Sequence, residues 1–237
     1  MELRGNAGGA PFGSGAASLS RVSTLLSGST TLEEISPPPA LTSPGYAPLP
    51  KRHGDPAFDP VMELLNDRQA VVFVHPAIHP SVAQVNLPYP VFMMEFPFDT
   101  TRAAVNMLFN GTLERFPRIR IILAHAGGLL PYLGWRLSVS PMIEDGVPKL
   151  SREQVYAGLR RYWYDNALSY GAESMGALTP IADPAKILYG SDWPFADTKV
   201  LAEADKTLGA PGHLTGAQRT AIDRGNAVAL FPRFGTV

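Results

Sequence analysis

The chain has 237 residues and not one cysteine. That excludes a disulfide framework and any thiolate metal site, so an ion bound here would have to be held by His, Asp or Glu. There is no apolar run approaching the roughly 20 residues needed to span a bilayer. Nor is there a block or stripe of Lys and Arg, and charge nearly cancels, with 20 Lys and Arg against 21 Asp and Glu. Both points argue against a dedicated nucleic-acid binder. The N-terminus lacks the basic stretch and apolar segment of a secretory signal. The expectation is a cytoplasmic protein whose partner is neither a membrane nor a nucleic acid.

Apolar residues make up 45% of the chain, enough for a sizeable core, but they are unevenly spread. Residues 1–52 are rich in Gly, Ala, Ser and Pro (GNAGGAPFGSGAAS, then SPPPALTSPGYAPLP). Such composition buries little apolar surface and reads as a low-complexity, disordered arm, with only Leu19–Leu26 hinting at a short helix and no strand. Residues 53–237 read as the folded part. A helix is expected over Phe58–Asp67, with Pro60 tolerated in its first turn. Another is expected over roughly Thr100–Phe116, with Asp99 as its N-cap and Ala103, Val105, Leu108, Phe109 and Leu113 at helical spacing. Further helices are expected over Leu130–Met142, 172–181 and 199–208, and the pairs Ser151/Gln154 and Thr215/Gln218 have the form of capping boxes. Between them lie strand candidates at Ala70–Val74, Ile119–Ala124, Tyr162–Asn166 and Lys186–Tyr189. Strands alternating with helices predict an α/β fold with a parallel sheet and right-handed crossovers.

Three of those apolar runs end on a residue able to bind a metal or move a proton: His75, His125 and, through Gly190-Ser191, Asp192. A (β/α) barrel presents its chemistry in this way, at the C-terminal ends of its strands. His75, in VHP, is either a hydrogen-bonded core histidine or a metal ligand, and its place at a strand end favours the ligand. His125 is followed by Gly127 and Gly128, which permit a tight turn and close backbone approach. An imidazole there suits acid–base work. Asp192, in YGSDWPF, is either a turn-capping carboxylate or a functional one needing a cation or N–H partners. Trp193 and Phe195 beside it are candidate substrate contacts, as is Arg136, which could bind a substrate carboxylate or cap its own helix. Asp165 is equally a terminator of its strand or a carboxylate orienting a histidine. Glu95 stays undecided. His79 is separated from His75 by Pro76, which works against a helical metal pair, while His53 and His213 read as surface residues.

These residues, with the stretches GDPAFDPVMELLNDRQAVVFVHP, FPFDTTRAAVNMLFNGTLERFPRIRIILAHAGGLLPYLGWR, KILYGSDWPF and GNAVALF, resemble the amidohydrolase superfamily from about Gly54 to Phe231. The nearest branch is that of 2-amino-3-carboxymuconate-6-semialdehyde decarboxylase and aromatic-acid decarboxylases, particularly 6-methylsalicylate decarboxylases. The resemblance implies a TIM-type (β/α)8 barrel holding one divalent ion, zinc or else manganese. It implies a small carboxylic acid as substrate and a homodimer. Carried across by motif, His75 and Asp192 become metal ligands, and His125 with Asp192 the proton carriers. The superfamily also opens with an H-x-H pair on its first strand, and this chain has none. The expectation is therefore a barrel missing its N-terminal strands. Three accounts are open: a truncated gene product, a chain completed by a partner, or a homologue without catalysis. The lack of strand-like sequence before residue 55 favours the first. A lactonase-like hydrolase is the alternative activity.

Overall fold

The computed structural model describes residues 22–24, 54–78, 82 and 87–235. One five-stranded sheet runs in chain order: β1 Val22–Thr24, β2 Val71–Val74, β3 Arg120–Leu123, β4 Trp163–Asp165 and β5 Ile187–Leu188. From β2 onward all pairs are parallel, with Val74 beside Leu123, Leu123 beside Tyr164 and Asp165 beside Leu188. Each crossover thus steps to the next neighbour in the same direction, which is how a (β/α) barrel grows. Among the described residues four parallel strands stand where a complete barrel has eight.

The first strand corrects the sequence reading. Val22–Thr24 lie antiparallel on β2, with Val22 opposite Val74, where a short helix and no strand are expected. A three-residue segment carries too little periodicity to mark a strand; backbone pairing with the edge of β2 makes it one. The rest of the arm, 1–21 and 25–52, lies outside the described residues, as do His53 and His79.

The helices are α1 Asp59–Asp67, α2 Glu95–Phe109, α3 Thr112–Arg115, α4 Leu130–Ile143, α5 Arg152–Leu159, α6 Ala172–Leu178, α7 Thr198–Leu208, α8 Gly216–Thr220 and α9 Asn226–Leu230. Both capping boxes form. The helix expected over 100–116 is displaced and divided. It starts at Glu95, because Pro97 suits a first turn where no N–H is needed, and it breaks at Gly111, whose φ is +73°. Asp99 is therefore not an N-cap. It is buried inside α2. None of the described helices is long and apolar enough to cross a membrane.

Alternation along the strands sorts two apolar layers. Val72, Val74, Ile121, Leu123 and Ile187 enter the main core with Ala104, Met107, Leu130 and Leu159. Tyr162 and Tyr164 are wholly buried in it, their hydroxyls donating to the carbonyls of Ala104 (2.9 Å) and Leu159 (2.7 Å). Burying a side chain such as Leu123 contributes about 1.5–3 kcal/mol. On the opposite face Val71, Phe73, Ile122, Trp163 and Leu188 are covered by Ala227, Leu230 and Phe231. His75 and Asp165 share the parity of this second face and sit at its C-terminal edge.

Candidate metal centre

His75 is the first residue past β2. Its Nδ1 lies 3.1 Å from the Pro76 carbonyl. A carbonyl only accepts, so Nδ1 carries the proton and Nε2 keeps a free lone pair. The loop after it is tied down by Asp99, whose Oδ2 accepts the Ala77 N–H at 3.1 Å. Phe73 and Phe96 flank the imidazole, with ring centroids 6.1 and 6.2 Å away. Burial and the nearby His125 hold the His75 pKa below its ordinary value, against the Pro76 hydrogen bond and the carboxylates of Asp192 and Asp165. The ring is thereby kept neutral, the form that binds a metal.

His125 is buried in a turn where four successive residues have positive φ: His125 (+55°), Ala126 (+55°), Gly127 (+73°) and Gly128 (+66°). Left-handed backbone at two non-glycine residues is strained and has to be held by its surroundings. Asp165 Oδ1 accepts the His125 N–H at 3.0 Å and the Ala167 N–H at 2.9 Å. Thr101 bonds Pro97 on one side and receives the Leu129 N–H on the other. Gly128 has no room for a Cβ, which would land on the Pro97 carbonyl. The His125 ring donates from Nδ1 to the Ala167 carbonyl at 3.2 Å, again leaving Nε2 free. Asp165 thus does steer a histidine, but through its backbone; the ring is aimed by Ala167, which no sequence signal marks. Burial raises the Asp165 pKa, opposed by His125, by the two N–H bonds it accepts and by His75.

Asp192 follows β5 after three residues and also has positive φ, +56°. Its carbonyl accepts from the N–H groups of Phe195 (2.8 Å) and Ala196 (3.0 Å), closing a turn. The carboxylate Oδ1 stands 3.9 Å from His75 Nε2, and the His75 and His125 rings meet edge-on at 5.3 Å. His75, His125 and Asp192 each offer a donor atom within 4.8 Å of the others. Donors about 2.0–2.2 Å from one ion in a tetrahedral array lie about 3.3–3.6 Å apart, so the trio needs to close by roughly an ångström to share an ion. Two imidazoles and a carboxylate form a donor set suited to zinc or manganese.

The remaining candidates are not part of this trio. Trp193 and Phe195 are 63% and 84% exposed. Arg136 lies on the exposed face of α4, and Glu95 is half-buried in the first turn of α2. His213 is half-buried, with Nε2 at 2.8 Å from the Tyr170 carbonyl, a tertiary contact for a residue expected at the surface. Two residues not singled out in the sequence border the site. Asn166 is fully buried and its Oδ1 accepts the Gly190 N–H at 3.1 Å; Tyr170 donates its hydroxyl to the Gly190 carbonyl at 2.7 Å. No sequence signal marks either of them.

Residues 41–233 match the Amidohydrolase family. The chain is 36% identical over 181 residues to 6-methylsalicylic acid decarboxylase of Penicillium expansum, covering 76% of this chain and 55% of that protein. It is 35% identical over 185 residues to the 6-methylsalicylic acid decarboxylase of Aspergillus aculeatus, covering 76% and 56%. Among solved structures, an amidohydrolase II superposes with a TM-score of 0.65 at 30% identity, over 75% of this chain and 56% of that one. A dihydroxybenzoic acid decarboxylase from a Polaromonas species, solved with manganese and 2-nitroresorcinol, gives 0.66 at 21% identity over 78% and 56%. The chain spans about half the length of the curated relatives it matches. Its parallel strands, their order and the match across 41–233 lead to one conclusion: this chain belongs to the amidohydrolase family.

Proposed function

We propose that this chain carries the C-terminal half of a metal-dependent carboxy-lyase acting on a small aromatic acid of the 6-methylsalicylate type. The observation that carries the reading is the convergence of His75, His125 and Asp192, from three strand ends, within 4.8 Å of one another. The relatives' names supply the substrate class. In this reading His75 and Asp192 hold one divalent ion, zinc or manganese. When bound, the ion supplies a Lewis acid that neutralises and orients a substrate carboxylate or phenolate. His125 keeps Nδ1–H on the Ala167 carbonyl, so Nε2 takes up a proton from solvent water and, as the imidazolium, delivers it to the ring carbon that bears the carboxylate. The C–C bond then breaks, its electron pair returns to the ring, and CO2 leaves. Asp192 takes part in the proton exchange from the opposite side. Phe73 and Phe96 supply an apolar wall for the ring, and Arg136, Trp193 and Phe195 are further substrate contacts. The reading includes a homodimer in the cytoplasm, which equilibrium sedimentation would check.

The test is to incubate the manganese- or zinc-loaded chain with 6-methylsalicylate and separate the products. Release of CO2 with 3-methylphenol supports the reading. Ring opening or ester cleavage of a lactone panel, without CO2, would instead place the chain among hydrolases. No turnover of either kind, with metal bound, would leave a non-catalytic metal protein and overturn the decarboxylase reading for this chain.

A further inference from the structure

We propose that Tyr170 is a positioning residue for Asp192, acting through the peptide of Gly190. The inference rests on the reading of Asp192 as a metal ligand, and it concerns how that ligand is aimed.

Strand β5 ends at Leu188, and Asp192 must leave it in a non-strand conformation to reach His75. The intervening peptide is gripped from both sides. Asn166 takes the Leu188 carbonyl with its backbone N–H (3.0 Å) and the Gly190 N–H with its side-chain oxygen (3.1 Å). Tyr170 takes the Gly190 carbonyl with its hydroxyl (2.7 Å). Beneath them Gly190 rests against Asp165, where a Cβ would come within 2.9 Å of its carboxyl carbon. Gly190 thus has both its polar backbone groups bonded and its Cα pressed on the carboxylate that also holds His125. Two residues later, the Asp192 carbonyl is closed into its own turn by Phe195 and Ala196. The grip before Asp192 and the turn after it fix the backbone from which its carboxylate reaches toward His75.

Tyr170 is itself held. Its ring stacks on Tyr189 at 6.2 Å and packs against Ala204 and Leu208 of α7, and its carbonyl bonds His213. The hydroxyl is therefore a fixed donor rather than a rotor searching for a partner. Groups that orient metal ligands from behind are worth about 10–100-fold in metal affinity when removed. Tyr170→Phe removes only the hydroxyl and keeps the stack.

The experiment titrates Mn2+ into the full chain, following free Mn2+ by electron paramagnetic resonance, for the parent, Tyr170→Phe and Tyr162→Phe. Tyr162 carries a more deeply buried hydroxyl, and it bonds Ala104 away from the site. The expected result is Mn2+ affinity weakened about tenfold or more in Tyr170→Phe, with Tyr162→Phe within twofold of the parent. Equal effects of the two substitutions, or none from Tyr170→Phe, would overturn the proposal. Crystal structures of the parent and Tyr170→Phe without metal give an independent reading. The Asp192 carboxylate is expected to shift relative to His75 by about 1 Å, a displacement of the size that disables preorganised sites; an unmoved carboxylate overturns the proposal. A parent that binds no Mn2+ would remove the metal reading alone, and the crystallographic comparison would still decide the role of Tyr170.

Discussion

The carboxylate of Asp165 accepts the backbone N–H of His125, 3.0 Å away and 40 residues earlier in the chain. The end of β4 thereby fixes the turn that leaves β3. Without it, a buried N–H in a left-handed turn would have no partner, and the strain of His125 and Ala126 would be free to relax. The same oxygen serves Ala167, whose carbonyl aims the His125 ring. One side chain thus sets both the backbone and, through its neighbour, the ring.

Asp165→Ala should destabilise the chain by about 2–4 kcal/mol, because it orphans two buried N–H groups. Asp165→Asn keeps the accepting oxygen and gives up a carboxylate whose pKa burial raises, so its stability should stay within about 1 kcal/mol of the parent. Urea denaturation of the three proteins separates these outcomes.

Protonation of His75 should work against the fold. Its pKa is depressed in the folded state, so between that value and the ordinary 6.5 the unfolded chain binds the extra proton. The stability it contributes is present above about pH 6.5 and is lost as pH falls through the folded pKa. Thermal melts of the metal-free protein should show midpoints falling below pH 6.5, with a shallower fall in His75→Phe. Identical pH profiles for the two would contradict the assignment.

Gly128→Ala and Gly176→Ala should have opposite signs. A Cβ on Gly128 meets the Pro97 carbonyl in a turn with φ of +66°, and a cost above about 3 kcal/mol is expected. Gly176 lies inside α6 with open space where its Cβ would go, so alanine should stabilise by about 0.5–1 kcal/mol. Melting temperatures of the pair check both.

His125→Ala separates proton carrier from ligand. As a proton carrier, its loss should leave close to one Mn2+ bound per chain and lower any turnover by about 10²–10⁴-fold. Loss of Mn2+ binding itself would make His125 a ligand alongside His75 and Asp192.

The four parallel strands were legible because each is a short apolar run ending in turn residues, and the three side chains that converge stand close behind those runs, His75 directly after β2, His125 two positions past β3 and Asp192 four positions past β5. Both capping boxes were legible for the same local reason. What could not be read depends on contacts far along the chain. Val22–Thr24 become a strand only by lying against β2. Asp99 looked like a cap because Asp precedes an apolar helical pattern, yet α2 starts earlier at Glu95 and its carboxylate serves Ala77 instead. The roles of Ala167, Asn166 and Tyr170 lie in the carbonyl, amide and hydroxyl they bring to another strand's end, which neither periodicity nor motif announces.

The most direct test of the account is the stoichiometry of Mn2+ binding to the chelator-treated chain, measured beside His75→Ala and Asp192→Asn. The account predicts one ion per parent chain, with binding lost or severely weakened in both variants. No saturable binding by the parent, or binding unchanged by both substitutions, would contradict a metal centre at these strand ends.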